Sequence, residues 1–257
     1  MFLMNIKSDF NYKIFVEYLK TNIIGSDVKI FNSLDSTNKE AWRMNLDSII
    51  NGTIIITSNQ TNGTGRRGDK WFSSQNKSLT FSIVINKPNI IRNISLLPLT
   101  IGVAIINAIQ CYADINCQLK WPNDIMLDQK KLGGILIESK KNKFVIGVGI
   151  NINTNYEDFD RSIKDKAISL KMFKNKKIIV EIILAQILNE IEKKMMAENN
   201  LIINEWMNNC MHVNKNIEYH DSKSVIRGCF SGITDNGEAV IKINNTKKII
   251  SSGSLII

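Results

Sequence analysis

The sequence predicts an α/β (α+β) fold, with a mixed or antiparallel sheet backed by helices and then a small all-β module. Three observations carry this. Strand-like runs alternate with helical patterns as far as residue 209. Four strand-like stretches crowd into residues 115–152, too close together for helical crossovers, so hairpins must join them. After Cys210 only short alternating runs remain, broken by Asp235-Asn236-Gly237 and Asn244-Asn245.

The elements follow in order. Residues 10–20 (FNYKIFVEYLK) form a short amphipathic helix and 28–32 (VKIFN) a strand. Ser36-Thr37-Asn38 sits like a helix N-cap before Glu40. Residues 53–58 and 78–85 are strands flanking a glycine-rich loop. Residues 96–112 are apolar on nearly every helical face, which describes a buried helix. Strands follow at 115–121, 125–127, 131–138 and 143–152. Residues 177–197 carry Val180, Leu184, Ile187, Leu188, Ile191 and Met195 at helical spacing. A further helix covers 200–209. The final module has strands at 216–219, 224–233, 238–243 and 247–250. A division into 1–209 and 210–257 is expected.

The bulk composition narrows the function classes. A hydrophobic content of 44% supports a real core and excludes wholesale disorder. The net charge of +9 favours anionic partners or phosphorylated ligands. Cys111, Cys117, Cys210 and Cys229 show no C-x-x-C spacing, and only His212 and His220 could join them. A structural zinc site and a disulfide framework are therefore not expected, and reduced thiols point to the cytoplasm. The opening MFLMNIKSDF turns polar too soon for a signal peptide, and no apolar run is long enough to span a membrane.

The loop TNGTGRRGDKW raises the functional question. Gly63-x-Gly65-x-x-Gly68 follows a strand, as in a dinucleotide-binding turn. That turn needs a following helix and an acid about 20 residues on. Here DKWFSSQNKS follows, and NKPN stands where the acid belongs. A Walker loop fails too, because Asp69 replaces its lysine. What survives is a backbone that can approach a ligand, with Arg66 and Arg67 as donor forks for phosphate or carboxylate and Trp71 as a stacking face.

Three more motifs bear on it. In Lys120-Trp121-Pro122-Asn123-Asp124, Asn123 and Asp124 offer oxygens suited to a hard cation such as Mg2+ bridging phosphates. In Lys131-Leu132-Gly133-Gly134-Ile135-Leu136-Ile137-Glu138, a lysine enters a strand with bare backbone behind it. In Gly147-Val148-Gly149-Ile150-Asn151-Ile152-Asn153, alternation puts Val148, Ile150 and Ile152 on a core face and the glycines and asparagines on the other.

With Ser36-Thr37-Asn38 before them, these segments resemble the biotin–protein ligases. Members carry S-T-N, G-x-G-R-x-G-x-x-W, K-W-P-N-D, K-x-x-G-I-L-x-E and G-x-G-I-N in that order, as does this chain between residues 28 and 153. The resemblance implies a class II synthetase-like catalytic domain followed by an SH3-like β-barrel. It implies an ATP-dependent ligase that activates biotin as biotinyl-5′-AMP and transfers it to a lysine of a carrier protein. The expected acceptor is the biotin carboxyl carrier domain of acetyl-CoA carboxylase.

The same resemblance distributes roles. Lys131 and Arg66 would be the catalytic charges. Ser36, Thr37, Asn38, Gln60, Thr64, Gly65, Arg66, Lys131, Gly134 and Gly149 would bind biotin. Gly63, Arg66, Arg67, Trp71, Asn123, Lys131 and Asn151 would bind ATP and the adenylate. Asp124 and Asn123 would hold Mg2+. Catalysis would rest on positioning and electrostatics, with no nucleophilic side chain.

Many bacterial members have arginine where this loop has Thr64 and a second basic residue at Asp69. The loop is expected to move in the free protein and order over the adenylate. In some members it also shapes a homodimer, which leaves that assembly open here. About 28 residues precede the first strand, too few for a separate DNA-binding domain, so no specific DNA binding is expected. The rival readings are a lipoate–protein ligase and a non-catalytic biotin sensor.

Overall fold

The structure is a computed structural model and describes residues 10–45, 49–220 and 225–256. A seven-stranded mixed sheet organises it, in the order β1-β2-β5-β9-β8-β7-β6. The strands are β1 (Val28–Phe31), β2 (Thr53–Thr57), β5 (Ser78–Ile85), β6 (Gln118–Lys120), β7 (Asp124–Leu127), β8 (Lys130–Lys140) and β9 (Lys143–Asn151). Only β1 and β2 run parallel, and hairpins build the β6-to-β9 half. As hairpins require, the chain turns tightly at Leu127–Lys130, with Asp128 and Gln129 at positive φ.

Alternation along the central strands divides the sheet into two faces. Ile54, Ile56, Phe81, Ile83, Ile146, Val148 and Ile150 point into the main core. There they meet α3 (Leu97–Ala113) and α5 (Val180–Met195), with α1 (Tyr12–Tyr18) and α6 (Asn199–Asn208) outside them. As its composition predicted, α3 is buried nearly all round. Ile55, Val84 and Val145 point the other way, against α2 (Thr37–Arg43). Ser82, Gly147 and Gly149 share that second face, so the functional motifs gather on the thinly covered side.

The second sheet is antiparallel, in the order β13-β12-β11-β10-β14. Its strands are β10 (Asn216–His220), β11 (Val225–Ile233), β12 (Ala239–Ile243), β13 (Thr246–Ile250) and β14 (Ser254–Ile256). Several contacts join it, through the segment that precedes it, to the first sheet and its helices. Leu119 bridges Cys210, the Trp121 indole donates to the Gly237 carbonyl at 3.0 Å, and His212 packs between Trp206 and Phe230. The Trp121-Pro122 bond is cis.

Three features were not expected from the sequence. The glycine-rich segment is a hairpin of β3 (Gly63–Thr64) and β4 (Lys70–Trp71). A short helix, α4 (Leu170–Lys174), interrupts a stretch without clear periodicity. The third is β14, too short to announce itself. Residues 1–9, most of the stretch read as a poor signal peptide, lie outside the described residues. So does residue 224, where a strand was expected to begin. Among the described residues no helix is long and apolar enough to cross a membrane, and all four cysteines are free.

The junction makes stability pH-dependent. His212 is fully buried and its Nε2 has no hydrogen-bond partner among the described residues, so a second proton there would bury an unpaired charge. Burial, then the nearby Lys120 and Lys215, lower its pKa from 6.5 to about 3. Between those values the unfolded chain binds the extra proton and the folded chain does not. This contribution is therefore complete above about pH 6.5 and is lost at up to about 1.4 kcal/mol per unit as pH falls towards 3. Urea midpoints at pH 7 and pH 4.5 should drop more in the wild type than in His212→Phe. Equal drops would place the acid sensitivity elsewhere.

Candidate active site

A cleft of about 330 Å3 opens on the α2 face, bounded by α2, the β3–β4 hairpin, the β6–β7 turn, β8 and β9, and the start of β14. Ser36, Thr37, Asn38, Gln60, Thr64, Gly65, Arg66, Arg67, Trp71, Asn123, Asp124, Lys131, Gly134 and Gly149 all line it. Two expected residues do not. Gly63 lies in the hairpin beneath, where a side chain would strike Gln60 and Trp71. Asn151 is buried, with its amide donating to the Ile168 carbonyl at 3.1 Å. Asn153 is likewise turned to backbone, exchanging hydrogen bonds with Ile178. The expectation that both asparagines face the ligand fails because the chain after β9 folds back and uses their amides for its own unpaired groups.

One end of the cleft is a neutral polar cluster. Ser36 caps α2 by accepting from the Lys39 amide. The Thr37 amide donates to Gln60 Oε1 at 2.9 Å. The Ser82 hydroxyl lies 2.7 Å from Thr37 Oγ1 and 2.6 Å from Asn38 Oδ1. Asn38 Nδ2 donates to Glu138 Oε2 at 2.8 Å. Gln60, Ser82 and Glu138 thus hold Thr37 and Asn38 in place, which preorganises the cluster for a small polar ring.

The other end is charged. Lys131 Nζ meets Asp124 Oδ1 at 2.6 Å, partly exposed. Such a pair holds by no more than about 1 kcal/mol, so an anionic ligand could displace the carboxylate. The Lys131 backbone is pinned separately, its amide donating to the Lys166 carbonyl and its carbonyl accepting from the Ile168 amide. Arg66 reaches Asn123 Oδ1 at 3.4 Å and the Gly253 carbonyl at 3.3 Å. Burial, then the adjacent Arg67, lower the Arg66 pKa, with Asp124 and Asp69 opposing. Burial also lowers the pKa of Lys120, with Asp124 opposing and Lys131 reinforcing. Cations crowded into a half-buried groove, facing Asp124 and Asp69, select for a polyanion.

Asn123 and Asp124 stand side by side at this end, and hard oxygen donors suit Mg2+. Among the described residues no three His, Cys, Asp or Glu side chains cluster to hold a metal alone. The residues therefore fit an ion that arrives with phosphate ligands, not one in a protein cage.

Trp71 lies across the floor. Its indole covers Gly149 so closely that a Cβ there would stand 2.4 Å from the ring. The buried indole N–H has no partner among the described residues. The hairpin tip reaches the second sheet, where Arg67 donates to the His220 carbonyl at 3.4 Å. The Gly253, Ser254 and Leu255 wall was invisible to motif reading, because it comes from the far end of the chain. Ser82 and Glu138 were also unassigned. Ser82 carries no signal beyond its place in a strand.

Comparison with known proteins shows what the chain is similar to. The model of the biotin/lipoate A/B protein ligase family matches residues 30–155. The bifunctional ligase/repressor BirA of Bacillus subtilis is 29% identical over 244 residues, spanning 91% of this chain and 75% of that protein. The biotin–[acetyl-CoA-carboxylase] ligase of Mycobacterium tuberculosis is 30% identical over 43% of each chain. The biotin protein ligase of Aquifex aeolicus, solved with biotin and ATP, superposes with a TM-score of 0.81 at 27% identity, over 90% of this chain and 98% of that one. Together the family match, the relatives and the solved structure support a biotin–protein ligase catalytic domain. The seven-stranded sheet with its helices is the ligase fold, and the antiparallel C-terminal sheet is consistent with the SH3-like module expected for it.

Because the hairpin rests on bare backbone at Gly149, a methyl group there should unseat it. Trypsin should cut after Arg66 or Arg67 about tenfold faster in Gly149→Ala than in the wild type. Equal rates would show that the hairpin does not depend on that seat.

Proposed function

We propose that the protein is an ATP-dependent biotin–protein ligase. It joins the biotin carboxylate to the α-phosphate of ATP, releases diphosphate, and transfers the biotinyl group to a lysine amine of a carrier protein. The observation that carries this is one cleft with a neutral ring-binding end at α2 and a cationic end at Lys131 and Arg66. Biotin has that same polarity, a ureido ring joined by an alkyl chain to a carboxylate.

Thr37, Asn38 and Gln60, with Ser36 at the helix cap, would bond the ring. Thr64 and Gly65 in the hairpin would cover it. Gly134 leaves room for the chain, and Gly149 seats the Trp71 ring beside it. Lys131 would exchange Asp124 for the carboxylate and the α-phosphate. There it would offset the negative charge that builds as the carboxylate oxygen bonds to phosphorus and the bond to the departing diphosphate breaks. Arg66 would hold the phosphates and then the acyl-adenylate, with Arg67 in a lesser role. Trp71 would flank the nucleotide, where a ligand acceptor would satisfy its orphaned N–H. Asn151 and Gly63 would act through the backbone they support. Asp124 and Asn123 would hold Mg2+, which supplies charge neutralisation on the phosphates when bound.

Transfer needs only that the carrier amine reach the acyl carbon while AMP departs, so no side-chain nucleophile is required. The acceptor is the carrier domain of acetyl-CoA carboxylase, as the name of the mycobacterial relative suggests. We divide the chain at 209/210 into catalytic and SH3-like units and place it in the cytoplasm. The hairpin would close further over the adenylate and exclude water.

Biotin-dependent exchange of labelled diphosphate into ATP tests the reading, with lipoate run in parallel. Exchange with biotin alone is expected, reduced roughly 100-fold or more in Lys131→Met. Exchange with lipoate instead would move the activity to the sister branch. Biotin binding without exchange would leave a sensor.

A further inference from the structure

The sheet face that carries the cleft also holds a buried lysine outside it. Lys143 opens β9 and is only 3% exposed. Its Nζ donates to the Ala41 carbonyl at 2.6 Å and lies 3.4 Å from the Met44 carbonyl. Ala41 is in the last turn of α2 and Met44 is its C-cap, so these are carbonyls the helix cannot pair internally. A cation there also meets the negative end of the helix dipole. The same ammonium stands 5.1 Å from the centroid of the Trp42 ring. The Trp42 N–H, at the ring edge, donates to Glu138 Oε2 at 3.3 Å. Glu138 Oε2 in turn accepts from Asn38 in the first turn of the helix.

The consequence is geometrical. Lys143 and Glu138 belong to the paired strands β8 and β9, and β8 begins at Lys130 beside Lys131. One rigid hairpin thus presents the carboxylate-binding lysine at one end. At the other it grips both ends of the helix whose first turn carries the ring-binding residues. Nothing in the cleft reaction uses Lys143, and a buried ammonium without a function would be costly.

We infer that Lys143 is a positioning residue for the ring-binding end of the site, acting through α2. Together with Glu138 and Trp42 it fixes the separation between Thr37-Asn38 and Lys131, and so the length of acid that spans them. This rests on the biotin reading of the cleft for its substrate, but not for its geometry.

The test uses the full chain and two independent readouts. Lys143→Met keeps the aliphatic stem and removes the donor. In hydrogen–deuterium exchange without ligand, the amides at 40–44 should exchange about tenfold faster than in the wild type, the loss of one charge-assisted buried bond. In diphosphate exchange, KM for biotin should rise about tenfold, while KM for ATP and kcat stay within about twofold. Discrimination against biotin analogues one methylene shorter or longer should also weaken. Lys143→Arg, which restores donors to both carbonyls, should recover most of the loss. Unchanged amide exchange in α2 would overturn the inference whatever the substrate. So would equal rises in both KM values, or a fall in kcat alone. If Lys143→Met does not fold, Trp42→Phe carries the test. It keeps the ring face and removes the bond to Glu138, so KM for biotin should rise about threefold with KM for ATP unmoved, and no rise would overturn the inference. Absence of biotin-dependent exchange in the wild type would instead overturn the ligase reading, leaving amide exchange to decide the role of Lys143.

Discussion

The site depends on two bare backbone positions in one strand. A Cβ at Gly147 would stand 2.3 Å from Asn38 Oδ1, and one at Gly149 would stand 2.4 Å from the Trp71 ring. The first lets the ring-binding helix settle onto the sheet. The second gives the arginine hairpin its seat. A side chain at either would lift a wall of the cleft away from the floor. A central strand tolerates such glycines only because neighbours on both sides hold it, and β9 is paired throughout with β5 and β8. Close approach at the surface therefore draws on the burial of the opposite face, where Val148 and Ile150 enter the core.

On this floor the cleft separates two kinds of recognition. The α2 end offers uncharged side chains held from behind by Gln60, Ser82 and Glu138, which rewards shape and donor pattern. The Lys131 end uses charges that face one another loosely. The Lys131–Asp124 pair and the long contacts of Arg66 are weak enough to be exchanged for phosphate oxygens. A reaction that builds negative charge between a carboxylate and a phosphate needs such exchangeable cations at one end. It needs immovable alignment at the other, and the two demands fall on different elements.

Much of this could be read before any coordinates. The turn chemistry at Asp128-Gln129, the cap at Ser36 and the all-apolar α3 each follow from local rules, and each stands where those rules put it. The motif order located nearly every wall of the cleft. What escaped were relations between distant segments. Alternation assigned Asn151 and Asn153 to the ligand face, but it could not know that residues 168 and 178 would return to claim their amides. Lys143 drew no notice in the sequence, because nothing local marks it as covered by the end of α2. The β3–β4 hairpin was hidden by its glycines, which suppress strand propensity while permitting the tight turn.

The second sheet extends the argument from the floor to the wall. Gly253, Ser254 and Leu255 face the cleft, and the Gly253 carbonyl accepts from Arg66, the residue expected to hold the adenylate. From the other side, Trp121 of the K-W-P-N-D segment donates to Gly237 in the β11–β12 turn. That turn sits against Leu96 and Leu99 at the start of α3, and Gly237 adopts φ +77, where a side chain would be strained as well as crowded. The two contacts bracket Asn123 and Asp124. The C-terminal sheet is thus held by the segment that would meet the phosphates, and it holds the arginine that would close on them.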